Sequence, residues 1–127
     1  MEYSLIIVLL AILQYMAFGF RTGISRPKYG IEAPKVSGHE TWERYNRVHL
    51  NTLEQLIAFI PALLMFSYYV SSKWALVPGV AYLIARQVYS YLYIKNPKGR
   101  SFPPTFLINV ILVLGSLIGI IVNLCKQ

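Results

Sequence analysis

Residues 42–61, WERYNRVHLNTLEQLIAFIP, open with two arginines and close as apolar as any lipid-facing helix, yet Glu54 lies one turn inside the apolar part. A charge at that depth in a bilayer costs about 3 kcal/mol on insertion scales, so intramembrane carboxylates are paired and are functional candidates. Glu54 therefore calls for a partner.

The rest of the chain has the same apolar character. Of 127 residues, 56% are hydrophobic and 13% charged, and the mean hydropathy is +0.50, well beyond a soluble domain. Uncharged runs cover 3–20, 55–72 and 101–125, and 74–94 is broken only by Arg86. About 20 apolar residues cross a bilayer as a helix. The expectation is an all-α integral membrane protein: a single domain over 1–127 with transmembrane helices near 3–24, 42–71, 74–95 and 103–125. The first run has Glu2 but no Lys or Arg ahead of it and no small-residue cleavage site after it, so it reads as a helix and not a signal peptide. Cys125 is the one cysteine, which rules out a disulfide framework or a paired-cysteine metal site.

Charge sets an orientation. The first connection holds Arg21, Arg26, Lys28, Lys35, Arg44 and Arg47, and the third holds Lys95, Lys98 and Arg100, while the second holds only Lys73. The positive-inside rule puts connections one and three in the cytoplasm and both termini opposite. Anchoring to anionic headgroups accounts for these basic residues and for the net charge of +7, so no nucleic-acid partner is expected. Trp42 and Trp74, near span ends, read as headgroup anchors. Gly115 and Gly119 form a small-xxx-small pair for close helix packing.

Helical spacing answers part of the question about Glu54. Arg47, Asn51 and Glu54 are spaced i, i+4, i+7 and share one face, with Arg44 near the same stripe. Arg86, Tyr89 and Tyr93 form a second polar stripe in an otherwise apolar span. An Arg–Glu pair with interfacial tyrosines is the plainest reading. It leaves a surplus of guanidinium donors, which points to an anionic ligand: arginine forks bind carboxylates and a lone inward carboxylate binds an ammonium group. A small molecule with two carboxylates and one amine fits. Glutathione is one such molecule, and the inventory admits others.

The segment ERYNRVHLNTLEQ, preceded by SGHETW and followed by YLIARQVYSYLYIKNPKGR, resembles the family of membrane-associated proteins in eicosanoid and glutathione metabolism, MAPEG. The likeness rests on Glu43, Arg44, Arg47, Asn51 and Glu54 together with Ala85, Arg86, Tyr89 and Tyr93. It implies a four-transmembrane-helix bundle, a homotrimer, and glutathione held at subunit interfaces near the cytosolic side. Glutathione contacts would fall on Arg26, Arg47, Asn51, Glu54, Arg86, Tyr89 and Tyr93. Arg100 matches the arginine that stabilises the glutathione thiolate in the leukotriene C4 synthase branch. Gln55, Pro27 and Leu112 depart from that branch, which has tyrosine, arginine and tryptophan there, and this counts against leukotriene A4 as substrate. The form RPKYGIEAP is closer to bacterial members or the general microsomal glutathione transferases, implying a bacterial inner membrane or, alternatively, the endoplasmic reticulum.

The implied activity is glutathione conjugation to an apolar electrophile, with lipid-hydroperoxide reduction as a further capacity. About 3% of a free thiol with pKa near 8.5 is ionised at pH 7, and an adjacent guanidinium raises that fraction. The alternatives are a non-catalytic lipid-binding member of the same fold and a small four-helix exporter. The first lacks the arginine matching Arg47. The second needs a glutamate in mid-helix one, where this chain has no charge after Glu2.

Overall fold

The computed structural model describes residues 1–95 and 105–127, which form α1 (Glu2–Ile24), α2 (Arg26–Tyr29), α3 (Glu40–Tyr69), α4 (Leu76–Lys95) and α5 (Thr105–Cys125). The four long helices make the expected all-α bundle. Residues 96–104, with Asn96, Pro97 and Arg100 among them, lie outside the described residues.

Local chemistry fixes the ends of the elements. α1 has Glu2 in its first turn and Arg21 in its last, each on the side that the helix dipole favours. Pro27 opens α2, whose missing N–H costs nothing in a first turn, and Gly30 ends it at φ 69°, a left-handed conformation natural to glycine. The His39 side chain caps α3 by accepting the Thr41 N–H at 3.2 Å, and Glu40 and Glu43 occupy the first turn. α3 then continues through Pro61 to Tyr69. Its 30 residues span about 45 Å against a hydrocarbon layer of about 30 Å, so its polar N-terminal turns project beyond that layer.

α1, α3 and α5 are each long and apolar enough to cross a membrane. α4 has 20 residues and carries Arg86, whose side chain is turned wholly inward. The outward surface is apolar: Leu9, Ile57, Ile84 and Ile111 are each at least 60% exposed. Such a surface suits lipid and not water.

In lipid, helix association rests on close packing and interhelical hydrogen bonds. The core joins Ala11, Phe59, Leu63, Tyr82 and Leu112, with the Phe59 and Tyr82 rings stacked at 3.7 Å. A Cβ at Gly115 would lie 2.7 Å from the Phe66 ring, and one at Gly119 would lie 3.1 Å from the Tyr69 carbonyl oxygen. The small-residue pair thus seats α5 on α3 within one chain. Ser116 Oγ donates to the Ala62 carbonyl at 3.1 Å across the same contact. At the far end, Ser4 Oγ donates to Ser67 Oγ at 3.0 Å and the Met1 amino group to Ser72 Oγ at 3.2 Å, tying the start of α1 to the α3–α4 connection.

Trp42 corrects the sequence reading. It is fully buried, its indole N–H donates to the Thr22 carbonyl at 2.9 Å, and the Arg26 guanidinium lies 4.7 Å from its ring. It fastens the start of α3 to the end of α1 and does not anchor in headgroups. Trp74 is 65% exposed and keeps a surface position.

Candidate functional site

Where α3 meets α4, the two polar stripes come together. Arg86 is fully buried, and both of its terminal nitrogens donate to Asn51 Oδ1 at 2.9 Å. The face of its guanidinium lies 4.3 Å from the Tyr89 ring centroid, and the Tyr89 and Tyr93 rings are 5.5 Å apart. Tyr89 is buried with Phe18 and Val48, whereas Tyr93 reaches the surface of the bundle. The stripe on α4 therefore runs from a buried arginine out to a partly exposed phenol.

Glu54 pairs with Arg47, with Arg47 Nη1 3.3 Å from Glu54 Oε1, and both side chains are about half exposed. Two turns of α3 separate them, and they face away from the chain's own core. Glu54 lies 15 residues before the end of α3, about 22 Å along the axis, which places it within the hydrocarbon layer if Tyr69 marks the opposite surface.

Two clefts flank this pair. The first, about 430 Å³, lies between the polar turns of α3 and α4, lined by Glu40, Glu43, Arg44, Arg47 and Tyr93. Arg44 is fixed in it by an ion pair to Glu40 and by donation to the Ile94 carbonyl at 2.8 Å. The second, about 490 Å³, opens between α3 and α5 and is mostly apolar, lined by Glu54, Gln55, Ala58, Phe106, Val110 and Val113. Arg47 lines the charged cleft and Glu54 the apolar one. Both volumes lie in the range of small-molecule sites.

Of the residues singled out by sequence, Arg47 and Tyr93 line the charged cleft and Glu54 the apolar one. Asn51, Arg86 and Tyr89 form the buried wall behind them. Arg26 lines neither cleft: its Nη1 donates to the Lys35 carbonyl at 2.7 Å and its face rests on Trp42. Arg100 lies outside the described residues. His49 stacks on Tyr15 with centroids 4.7 Å apart, and a Cβ at Gly19 would meet its ring at 2.7 Å, so its ring packs α3 against α1.

Sequence reasoning missed Asn109. Its Nδ2 donates to the Gln55 carbonyl at 3.1 Å and to Gln55 Oε1 at 2.8 Å, placing a polar pair in the wall of the apolar cleft. An asparagine inside a 25-residue uncharged run was the available signal.

The MAPEG family pattern matches residues 4–122, nearly the whole chain. The chain belongs to the MAPEG family. An uncharacterized protein of the cyanobacterium Synechocystis is 36% identical over 91% of this chain and 86% of its own length. A probable microsomal glutathione S-transferase of Dictyostelium discoideum is 39% identical over 54% of this chain, and microsomal glutathione S-transferase 2 of Mus musculus is 34% identical over 72%. The aligned parts span 46% and 63% of those two relatives. Membership of the MAPEG family and the relatives named microsomal glutathione S-transferase support a glutathione-related membrane function.

Proposed function

We propose that this MAPEG protein is a membrane-bound glutathione transferase that joins the glutathione thiolate to apolar electrophiles. The observation that carries the reading is the Arg47–Glu54 pair, set between a charged cleft and an apolar one. In the single chain Arg47 and Glu54 satisfy each other. Glutathione would part them, its amine going to Glu54 and a carboxylate to Arg47, with the Tyr93 hydroxyl beside it. Asn51, Arg86 and Tyr89 hold α4 against α3 behind that contact.

Half-exposed charges at membrane depth are costly against lipid. The exposed face of α3 is therefore assigned to contact with a second copy, in the homotrimer that the family resemblance implies. In that assembly Arg26, which points at neither cleft of its own chain, serves the cleft of its neighbour. The basic end of the bundle faces the cytoplasm by the positive-inside rule.

Catalysis then needs a thiolate. Arg100, which matches the thiolate-stabilising arginine of the leukotriene C4 synthase branch, is assigned that task. A guanidinium keeps its charge at any physiological pH, so it stabilises the anion without giving up a proton. The sulfur lone pair forms a new carbon–sulfur bond to an electrophile in the apolar cleft, and the leaving group departs with its electron pair. With a lipid hydroperoxide, two glutathiones would supply two electrons, giving an alcohol, water and the disulfide. The test is turnover of an apolar aryl halide with glutathione by the protein purified in detergent. Thioether formation that saturates in glutathione is expected. No turnover with any of several electrophiles, despite glutathione binding, would favour a non-catalytic lipid-binding role.

A further inference from the structure

A groove between α1 and α4 shares no lining residue with either cleft described above. At the basic end of the bundle it is a hollow of about 370 Å³ lined by Arg21, Tyr45, Ser90 and Lys95. Through Arg21 and Gln87, common to both parts, it continues as a cleft of about 530 Å³ walled by Leu10, Leu13, Ala17 and Leu83. Neither lining contains a carboxylate.

The cations in the hollow are held in place but not neutralised. Arg21 Nη2 donates to Ser90 Oγ at 3.1 Å, and the guanidinium lies 4.8 Å from the Tyr45 ring centroid and 5.1 Å from that of Phe18. Its Nε is buried with no acceptor. Lys95 Nζ meets only the Tyr91 hydroxyl, at 3.2 Å, among the described residues. The last turns of α1 and α4 bring partial negative charge from their helix dipoles, about half a unit each, which two full cations exceed. The groove floor is preformed, because Gln14 Nε2 on α1 donates to Gln87 Oε1 at 3.2 Å and to the Leu83 carbonyl at 3.0 Å on α4. From Arg21 to Leu10 is 11 residues of helix, about 16 Å, close to the depth of one leaflet.

We propose that this groove is a binding site for one anionic glycerophospholipid, with its phosphate on Arg21 and Lys95 and an acyl chain along Leu10, Leu13, Ala17 and Leu83. Charge complementarity selects the headgroup, and the leaflet-deep apolar wall selects a lipid over free phosphate. A guanidinium already fixed by Ser90 and Tyr45 loses little further freedom on binding, which distinguishes the site from a loose basic rim. The bound lipid would bridge the last turns of α1 and α4.

The test is native mass spectrometry of the full chain in detergent, titrated with phosphatidylglycerol or phosphatidylcholine. Wild type is expected to retain one phosphatidylglycerol per chain and to lose phosphatidylcholine at the same collision energy. Arg21→Gln with Lys95→Gln should cut phosphatidylglycerol occupancy about tenfold, the scale of a lost charged hydrogen bond. Two milder variants guard against misfolding: Lys95→Gln, at an exposed position, and Ala17→Phe, which fills the groove from an exposed site and leaves both cations intact. Each alone should lower occupancy. Equal retention of the two lipids, unchanged occupancy in the double variant, or full displacement by inorganic phosphate would overturn the proposal.

Discussion

Replacing Asn51 with leucine keeps the branched shape and the number of side-chain heavy atoms and removes the acceptor shared by both terminal nitrogens of Arg86. Two scales bear on the cost. Interhelical hydrogen bonds inside membrane proteins average about 0.6 kcal/mol and reach about 1.7. Taking the acceptor away from a buried donor costs about 1–3 kcal/mol, and more when the donor is charged, because the unsatisfied group stays behind. Arg86 is fully buried and forms no ion pair among the described residues, so the second scale governs. The Tyr89 face, 4.3 Å away, remains and offsets part of the loss, which holds the expected destabilisation to about 3 kcal/mol. Asn51→Leu combined with Arg86→Leu removes donor and acceptor together and should return to within about 1 kcal/mol of wild type. Unfolding by sodium dodecyl sulfate from mixed micelles, followed by far-ultraviolet circular dichroism, reads both numbers. If Asn51→Leu alone stays within about 1 kcal/mol of wild type, Arg86 is compensated elsewhere and the wall behind the clefts is not built as described.

The seat of α5 on α3 is tested by Gly119→Ala, whose Cβ meets the Tyr69 carbonyl at 3.1 Å and should cost about 1–3 kcal/mol in the same unfolding assay. Trp42→Phe removes the indole donor to the Thr22 carbonyl and should cost about 1 kcal/mol; no change would restore Trp42 to a surface role. Arg100→Ala should leave glutathione affinity nearly intact and abolish the ultraviolet thiolate absorbance seen on mixing. With the bound thiol pKa lowered by about two units from 8.5, wild-type rates should level off above about pH 6.5. The Arg100→Ala rate should instead keep rising through about pH 8.5, and coincident profiles would remove Arg100 from the chemistry.

The helical bundle was legible because charge is so scarce in this sequence that its absence marks the long apolar helices. The short α2 was legible in principle, since Pro27 lies in its first turn and Gly30 follows its end, but the segment was treated only as the first connection. Spacing along α3 and α4 gave the two polar stripes, yet spacing cannot tell which member turns inward. Asn51 was grouped with Arg47 and Glu54 on one face, and packing against α4 split them: Asn51 is buried with Arg86 while the other two stay half exposed. Trp42 was misread because a tryptophan at a span end suits a headgroup, and only the approach of the α1 carboxyl end supplies the carbonyl that buries it. Asn109 was passed over because its partner, Gln55, is 54 residues away and lies on a different helix.

The central claim is that Arg47 and Glu54 open to hold the two charged ends of glutathione, and calorimetric titration of glutathione into the detergent-purified protein tests it most directly. Wild type is expected to bind with saturable heat. Arg47→Ala and Glu54→Ala should each weaken binding by at least about 1.5 kcal/mol, more than tenfold, at unchanged assembly size. No binding by wild type, or wild-type affinity in both variants, would contradict the account.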